Sequence, residues 1–259
     1  MFILIKFFSR LLFLALLIIN LWQPTALAQD PVTTSITYNV EHDHGIGSGK
    51  GELKITNETI EYIGVSKNEF SHSKTWQDSD IKRIEINKKE LRIVIYEESH
   101  LPIIPRKAPF TDGKQVKIDN EHDYLFRLQD GEITEELATS LLERFQRPIA
   151  TSVIPEKVIE KGELLFELPV FHRHLRGGVS GILRVYQEFV IFNTEVEGKS
   201  RYWRYSDIRD IARLGHYKFE LATYEGQLAT DGKSYIFDLK RPMTDKEYDS
   251  LWKKLYEHF

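Results

Sequence analysis

Hydrophobic and polar residues alternate over several short stretches of the chain, and a period of two residues is typical of β-strands. The stretch 35–41 places Ile36, Tyr38 and Val40 on one face of such a strand. Further strands are predicted at 51–56, 59–63, 81–86, 91–96 and 124–128. Because these strands follow one another without intervening helices, the pattern indicates an antiparallel β-structure.

Two other segments have the apolar spacing of an amphipathic helix. The first helix is predicted over 134–147, with Thr134 as its N-cap. The second is predicted over 244–257, where Thr244 and Glu247 form the sequence pattern of a capping box. Each helix closes a run of strands, so the chain contains mainly β-structure with some α-helix.

The chain contains one long unit twice. The sequence Val-Glu-His-Asp-His at 40–44 reappears as Val-Phe-His-Arg-His at 170–174. With the same spacing, Gly-Glu-Leu-Lys-Ile at 51–55 matches Gly-Ile-Leu-Arg-Val at 181–185. A period of this length indicates two copies of a whole domain and not a solenoid of small units. The predicted organisation is a signal peptide at 1–28, a first domain at 29–147, a linker at 148–163 and a second domain at 164–259.

The shared pattern is G-x-L-x-I, a strand with an aromatic residue, W-x-x-S-D-I, Y-x-F-x-L and a helix. It resembles the pleckstrin-homology (PH)-like superfamily, particularly its bacterial and GRAM-type branches, over 35–147 and 165–259. The chain also resembles exported bacterial proteins with H-D-H near the first strand, from which no activity carries over. The resemblance implies an α+β fold with two PH-like antiparallel β-sandwich or barrel domains, each capped by a C-terminal helix. The alternative is a single large barrel with the helices outside.

The first residues have the features of a secretory signal peptide. Lys6 and Arg10 precede an apolar run at 11–19, and Ala-Leu-Ala at 26–28 follows a proline, which predicts cleavage after Ala28. The alternative is an uncleaved membrane anchor. An anchor needs roughly 20 uninterrupted apolar residues, and Lys6 and Arg10 interrupt this stretch. We therefore expect an exported protein, periplasmic or extracellular. The chain contains no cysteine, so packing alone must hold it together in an oxidising compartment.

The charge of the chain argues against one class of partner. The formal net charge is −4, and residues 1–28 contain two basic and no acidic side chains, so the remaining chain carries −6. A mildly acidic protein with interspersed charges does not attract nucleic acid. The expected partner is a protein or a cell-envelope component, and membrane contact would be transient or through an uncleaved N-terminal segment. The oligomeric state stays open.

The repeated H-x-H motif is the strongest indication of a site. Residues two apart in a strand point to the same face, so His42 and His44 could share an ion, with His72 as a third ligand. Zinc needs three or four such ligands, and Lys199 stands where His72 would recur. We therefore expect any specific site in the first copy. No cofactor is predicted, and zinc is the alternative. The interpretation that competes with metal binding is a structural cluster, in which the imidazoles hydrogen-bond to loop backbone.

Basic residues in the second copy suggest a contact with an anionic surface. Arg173, Arg176 and Arg184 lie around its first hairpin, and the alternative is a solvated loop.

Two further repeated features have structural interpretations. Trp76 and Trp203 are predicted to fill the core. Asp80 and Asp207 are predicted to accept hydrogen bonds from nearby backbone within a turn.

No motif for catalysis is present in the sequence. It contains neither G-x-S-x-G nor a complete phosphate-binding loop, so an enzyme is not expected. The leading hypothesis is a non-enzymatic exported binding or interaction protein that uses the interdomain cleft and the 98–122 loop. The alternatives are a zinc-type factor or hydrolase that uses the three histidines, and an envelope structural protein.

Overall fold

The computed structural model describes residues 35–43, 48–65, 73–96, 121–174, 177–225 and 232–257. These residues belong to one structural unit, Ser35–Phe259. Several predicted features lie outside the described residues: the signal peptide, His44, His72, Arg176 and most of the 98–122 loop.

Strands account for most of the described chain. In the first half they are β1 Ile36–Asp43, β2 Ser48–Ile55, β3 Thr59–Gly64, β4 Lys74–Gln77, β5 Ile81–Asn87, β6 Glu90–Tyr96 and β7 Glu121–Leu128. The connecting segment adds β8 Ile149–Thr151. In the second half they are β9 Leu164–His174, β10 Gly177–Tyr186, β11 Phe189–Asn193, β12 Arg201–Arg204, β13 Ile208–Arg213, β14 Lys218–Thr223 and β15 Lys233–Leu239. The six strands predicted in the first half are confirmed.

The described chain has three α-helices: α1 Glu135–Arg144, α2 Glu156–Lys161 and α3 Asp245–Tyr256. The side chain of Thr134 accepts a hydrogen bond from the backbone N–H of Leu137, which confirms the first predicted cap. Thr244 and Glu247 form the reciprocal capping box predicted for α3. The short helix α2 was not predicted.

All fifteen strands belong to one mixed sheet. Its strand order is β13-β14-β15-β9-β10-β11-β12-β8-β5-β6-β7-β1-β2-β3-β4. The prediction of two PH-like β-sandwich or barrel domains, each capped by a C-terminal helix, is therefore wrong. The two halves follow the same internal strand order, but they are parts of a single sheet.

The strand β8 is the physical reason for this correction. It pairs antiparallel with β12 through Thr151 and Tyr202, and parallel with β5 through three residue pairs that begin at Ile84 and Ile149. Each half thereby has an edge strand paired through β8, where a separate sandwich would leave it exposed. A three-residue strand has too little alternation to be recognised in a sequence.

Two hydrophobic clusters support the sheet. The first contains the buried face of α1, with Leu137 and Leu141, and it also includes Phe189 and Tyr202 from the second half. The second includes Trp203, which is fully buried, and the buried leucines of α3. Because the first cluster draws residues from both halves, side-chain packing joins them as the sheet does. The predicted core positions of both repeated tryptophans are confirmed.

The ion pair between Asp207 and Arg204 binds the segment that connects the two halves. Asp207 is 2% exposed and accepts hydrogen bonds from the backbone N–H groups of Ile149, at 2.9 Å, and Arg204, at 3.0 Å. The latter confirms the predicted turn hydrogen bond, which Asp80 also makes with Gln77 in the first half.

The guanidinium of Arg204 continues this connection to α1. It donates to the carbonyl oxygens of Leu142, Phe145 and Arg147 at 2.8, 2.7 and 2.9 Å, and its Nη2 donates to Asp207 at 2.8 Å. These carbonyls lie in the last turn of α1 and just after it, where backbone acceptors lack helical partners. A cation at this end of the helix is also favourable.

The glycine that opens each G-x-L motif is explained by close packing. A Cβ atom at Gly181 would lie 2.3 Å from the carbonyl oxygen of Asn193 and 2.6 Å from the ring of Phe192. At the equivalent Gly51, it would lie 2.4 Å from the ring of Tyr62. An aromatic ring of the next strand thus covers each glycine.

We expect Gly181→Ala to lower the free energy of unfolding by about 1–3 kcal/mol, because the added methyl group overpacks this contact. Urea unfolding measures the loss. The neighbouring Ser180→Ala is the control, and its effect should stay within about 0.5 kcal/mol because Ser180 is exposed. Equal effects of the two substitutions would contradict the explanation.

Candidate functional site

The first histidine of each H-x-H motif lies in a cluster of aromatic rings. His42 on β1 is 2% exposed, and its ring centroid lies 5.4, 5.4 and 4.9 Å from those of Tyr62, Tyr124 and Phe126. Its Nδ1 lies 3.2 Å from the carbonyl oxygen of Leu125. This environment supports the structural interpretation of His42.

His172 occupies the equivalent place in the second half. It is 5% exposed, and its ring lies 5.4, 5.2 and 5.1 Å from those of Phe192, Tyr235 and Phe237. One feature differs from the first half: the buried Nδ1 of His172 has no hydrogen-bond partner among the described residues. A buried polar atom of this kind calls for an explanation, and a ligand is one.

A cavity of about 400 Å³ opens beside His172. Its walls come from the end of β9, the start of β15 and the residues around the start of β12. The strands β9 and β15 are paired directly. Its basic lining side chains are His172, Arg173, His174, Lys199, Arg201 and Lys233. None of its described lining residues is acidic. We call this cavity the basic pocket.

Two of these cations have no carboxylate partner in the described chain, whereas Arg173 pairs with Asp238. Lys199 is exposed and its ammonium makes neither an ion pair nor a hydrogen bond with a described residue. Arg201 is held in place by neutral groups: its Nη1 donates to the carbonyls of Gly198 and Ser200 at 2.8 and 2.7 Å. Its Nη2 has no partner among the described residues. The guanidinium is therefore held in place while the N–H groups of Nη2 remain able to donate to a ligand.

A buried carboxylate supports the floor of the basic pocket. Glu225 is 7% exposed and accepts hydrogen bonds from the indole N–H of Trp203 at 3.1 Å and the hydroxyl of Tyr235 at 2.6 and 2.7 Å. Lys233 also donates to it at 3.1 Å. Burial and then the charge of Glu225 raise the pKa of Tyr235 well above its usual range, so the phenol stays protonated and donates.

The excess of cations acts on both histidines of the second motif. Burial first, then His174 and the nearby cations, lower the pKa of His172 to about 3. Burial, followed by Lys199, Lys233 and Arg201, also lowers the pKa of His174. Both imidazoles are therefore neutral near pH 7, and the surrounding positive charge opposes their protonation.

The lowered pKa of His172 predicts a loss of stability in acid. Its folded-state pKa of about 3 lies below the unfolded value near 6.5, so this contribution is complete above about pH 6.5 and is lost as pH falls towards 3. Between pH 7 and pH 5, roughly the upper part of this range, the free energy of unfolding of the wild type should fall with pH. We expect a smaller fall in His172→Phe. Urea unfolding at each pH tests this, with exposed His216→Gln as control. Identical slopes in wild type and His172→Phe would contradict it.

Of the arginines predicted to contact an anionic surface, the two in the described chain make different contacts. Arg184 on β10 pairs with Glu167 at 3.2 Å, whereas Arg173 lines the basic pocket. Sequence analysis missed Lys199, Arg201 and Lys233. One signal was available: Lys199 stands in the second copy where His72 stands in the first. This difference indicates the loss of a metal ligand, but equally the gain of a cation.

The zinc prediction rests mostly on residues outside the described chain. Among the described residues, no three His, Cys, Asp or Glu side chains form a group that could hold a metal ion. Because His44 and His72 are not described, the site with His42 stays a prediction.

A second cavity, of about 510 Å³, lies beside α2, β11 and β12. Val158, Gly162, Phe189 and Tyr202 are among its lining residues. It is lined largely by apolar surface and does not define a ligand class. Within the described ranges, no helix has the length and hydrophobicity needed to cross a membrane.

Comparisons with known proteins include distant similarities to solved structures. No protein-family model matches the chain, and no curated protein matches it. Among solved structures, the C-terminal domain of an unknown protein from Leishmania infantum has a TM-score of 0.30 and 14% identity, covering 38% of this chain and 89% of that one. The Spt16D Pob3N heterodimer has a TM-score of 0.31 and 11% identity, covering 73% and 83%. Similarities this weak carry no argument about function.

Proposed function

We propose that the protein is an exported, non-enzymatic binding protein whose basic pocket holds an anionic ligand. Export rests on the sequence of residues 1–28, and the resemblance to the PH-like superfamily stays a prediction. The observation that carries the proposal is the group formed by Lys199 and Arg201, which lack carboxylate partners in the described chain, beside the unpartnered Nδ1 of His172.

The electrostatics of the basic pocket favour an anion. Like charges held together in a partly enclosed space repel one another more strongly than in bulk water. An anion would neutralise this repulsion and accept hydrogen bonds from Lys199 and from Nη2 of Arg201. Because three bonds already fix Arg201, little side-chain freedom is lost on binding.

The size and lining of the basic pocket indicate what kind of ligand it would take. A volume of about 400 Å³ lies within the range of small-molecule sites. Ser234 is the one aliphatic hydroxyl on its described lining, and none of the described lining residues is a carboxylate that could act as its general base. This lining supports binding without catalysis.

Lys199→Glu tests the proposal because Lys199 is exposed and the substitution should leave the fold intact. We expect wild-type protein to bind a polyvalent anion, with sulfate, phosphate and citrate compared at constant ionic strength by calorimetry. We expect Lys199→Glu to weaken that binding by at least about tenfold, since charge reversal opposes the ligand directly.

The control for this experiment is Lys246→Glu, which makes the same change of charge at an exposed position on α3. It should bind as the wild type does. If none of the three anions binds, or if both variants lose affinity equally, the basic pocket is not an anion site.

A further inference from the structure

We propose that the basic pocket takes up one proton, on the imidazole of His174, together with each anion that it binds. This inference rests on the proposed function and adds a regulatory property to it: the ligand is held more tightly in acid. Two geometric observations carry it, the contact between the two histidine rings and the distribution of charge around them.

The two histidines form a pair at the end of β9. Their ring centroids are 4.3 Å apart and the planes are inclined at 66°. His172 is the buried member, with an Nδ1 that lacks a partner among the described residues, and His174 is the exposed member. His174 stands at the open side of the basic pocket, so a bound anion would lie beside an imidazole that can receive a proton.

The charged groups that face this pair are mostly cations. On β9 itself, Arg173 is neutralised by Asp238 of β15. From β15, Lys233 faces the pair with its partner Glu225, which follows β14, and Tyr235 contributes a neutral phenol. The segment around the start of β12 contributes Lys199 and Arg201. From β10, Gly177 and Val179 stand opposite the two histidines and carry no charge.

This arrangement couples the anion to the proton. In the empty basic pocket, Lys199, Lys233 and Arg201 help to hold the pKa of His174 below its ordinary value. A bound anion offsets these cations, so protonated His174 becomes favourable and its charge in turn attracts the anion. By linkage, a site that takes up one proton per anion loses affinity by up to about tenfold for each pH unit of increase, between the pKa values of the empty and the occupied states.

Calorimetry with sulfate on the full exported chain provides the test, because sulfate keeps its charge throughout the relevant pH range. Titrations at about pH 6, in buffers with different ionisation enthalpies, give the number of protons bound with each sulfate. We expect about one proton per anion, and an affinity that falls by several-fold to about tenfold per pH unit as pH rises from there.

The variant His174→Gln keeps a polar side chain at this exposed position but cannot be protonated. We expect it to bind sulfate with no proton uptake and with an affinity that no longer changes with pH. His216→Gln, an exposed histidine elsewhere in the second half, is the control and should retain the proton uptake of the wild type.

The outcomes separate this inference from the proposed function. Sulfate binding by the wild type without proton uptake, or proton uptake that survives in His174→Gln, overturns the inference and leaves the anion site in place. If sulfate fails to bind at every pH while phosphate or citrate binds, the same titrations use that anion. The protons taken up by the anion itself are then subtracted from the total, and the remaining proton uptake decides as above. If none of the three anions binds at any pH, both proposals fall.

Discussion

Asp207→Ala is expected to lower the free energy of unfolding by about 3–5 kcal/mol, the usual loss when one member of a buried ion pair is removed. Asp207 receives the backbone N–H of Ile149 and two nitrogens of the Arg204 guanidinium. Without the carboxylate, the N–H at the start of β8 loses its acceptor and a largely buried cation loses its counter-charge. The connection between the two halves should therefore weaken.

The equivalent residue of the first half provides a matched control. Asp80 also accepts a backbone hydrogen bond at the start of its turn, but it is exposed and has no role at the junction. Asp80→Ala should cost only about 0.5–2 kcal/mol, the range for a lost capping interaction. Urea unfolding followed by tryptophan fluorescence compares the two, and a loss at Asp207 no greater than that at Asp80 would refute the junction role.

Glu225→Ala has the second large expected effect, a loss of about 2–6 kcal/mol of free energy of unfolding. Two buried donors, the indole N–H of Trp203 and the hydroxyl of Tyr235, would lose their acceptor, and each unsatisfied buried group costs about 1–3 kcal/mol. Urea unfolding measures this effect too. Glu225→Gln keeps an acceptor oxygen and the volume, so its loss should be smaller than that of Glu225→Ala.

The glutamine variant also separates stability from binding. Glu225→Gln removes the negative charge beside Lys233, so we expect it to bind an anion at least as tightly as the wild type. Weaker anion binding in a folded Glu225→Gln protein would show that the carboxylate organises the basic pocket through more than its hydrogen bonds.

Most of the longer strands and the helices α1 and α3 could be predicted from the sequence because their signals are local. The alternation at Ile36, Tyr38 and Val40 and the caps at Thr134 and Thr244 each require only neighbouring residues. The continuous sheet could not be predicted, because it depends on β8, a strand of three residues that pairs with two distant partners. The repeat favoured two separate domains, since matched sequences carry no information about how the copies join.

The candidate site was predicted only in part for the same reason. The H-x-H motif identified His172 and His174, but the residues that complete the basic pocket come from three separate segments around β9, β12 and β15. Lys199 is recognisable only as the counterpart of His72, and Lys233 has no recognisable spacing relative to those histidines. The antiparallel pairing of β15 with β9 brings Lys233 to the histidines, and the fold brings the segment before β12, with Lys199, to the same pocket. Composition and periodicity reveal neither.

NMR of the histidine side chains observes anion binding at the basic pocket itself, because His172 and His174 lie in it. On addition of the anion that calorimetry identifies, we expect the ring-proton signals of both histidines to shift and the pKa of His174 to rise. The signal of His216, outside the basic pocket, should not move. If the anion binds while the signals of His172 and His174 stay unchanged, the ligand occupies another site and the basic pocket is not the anion site.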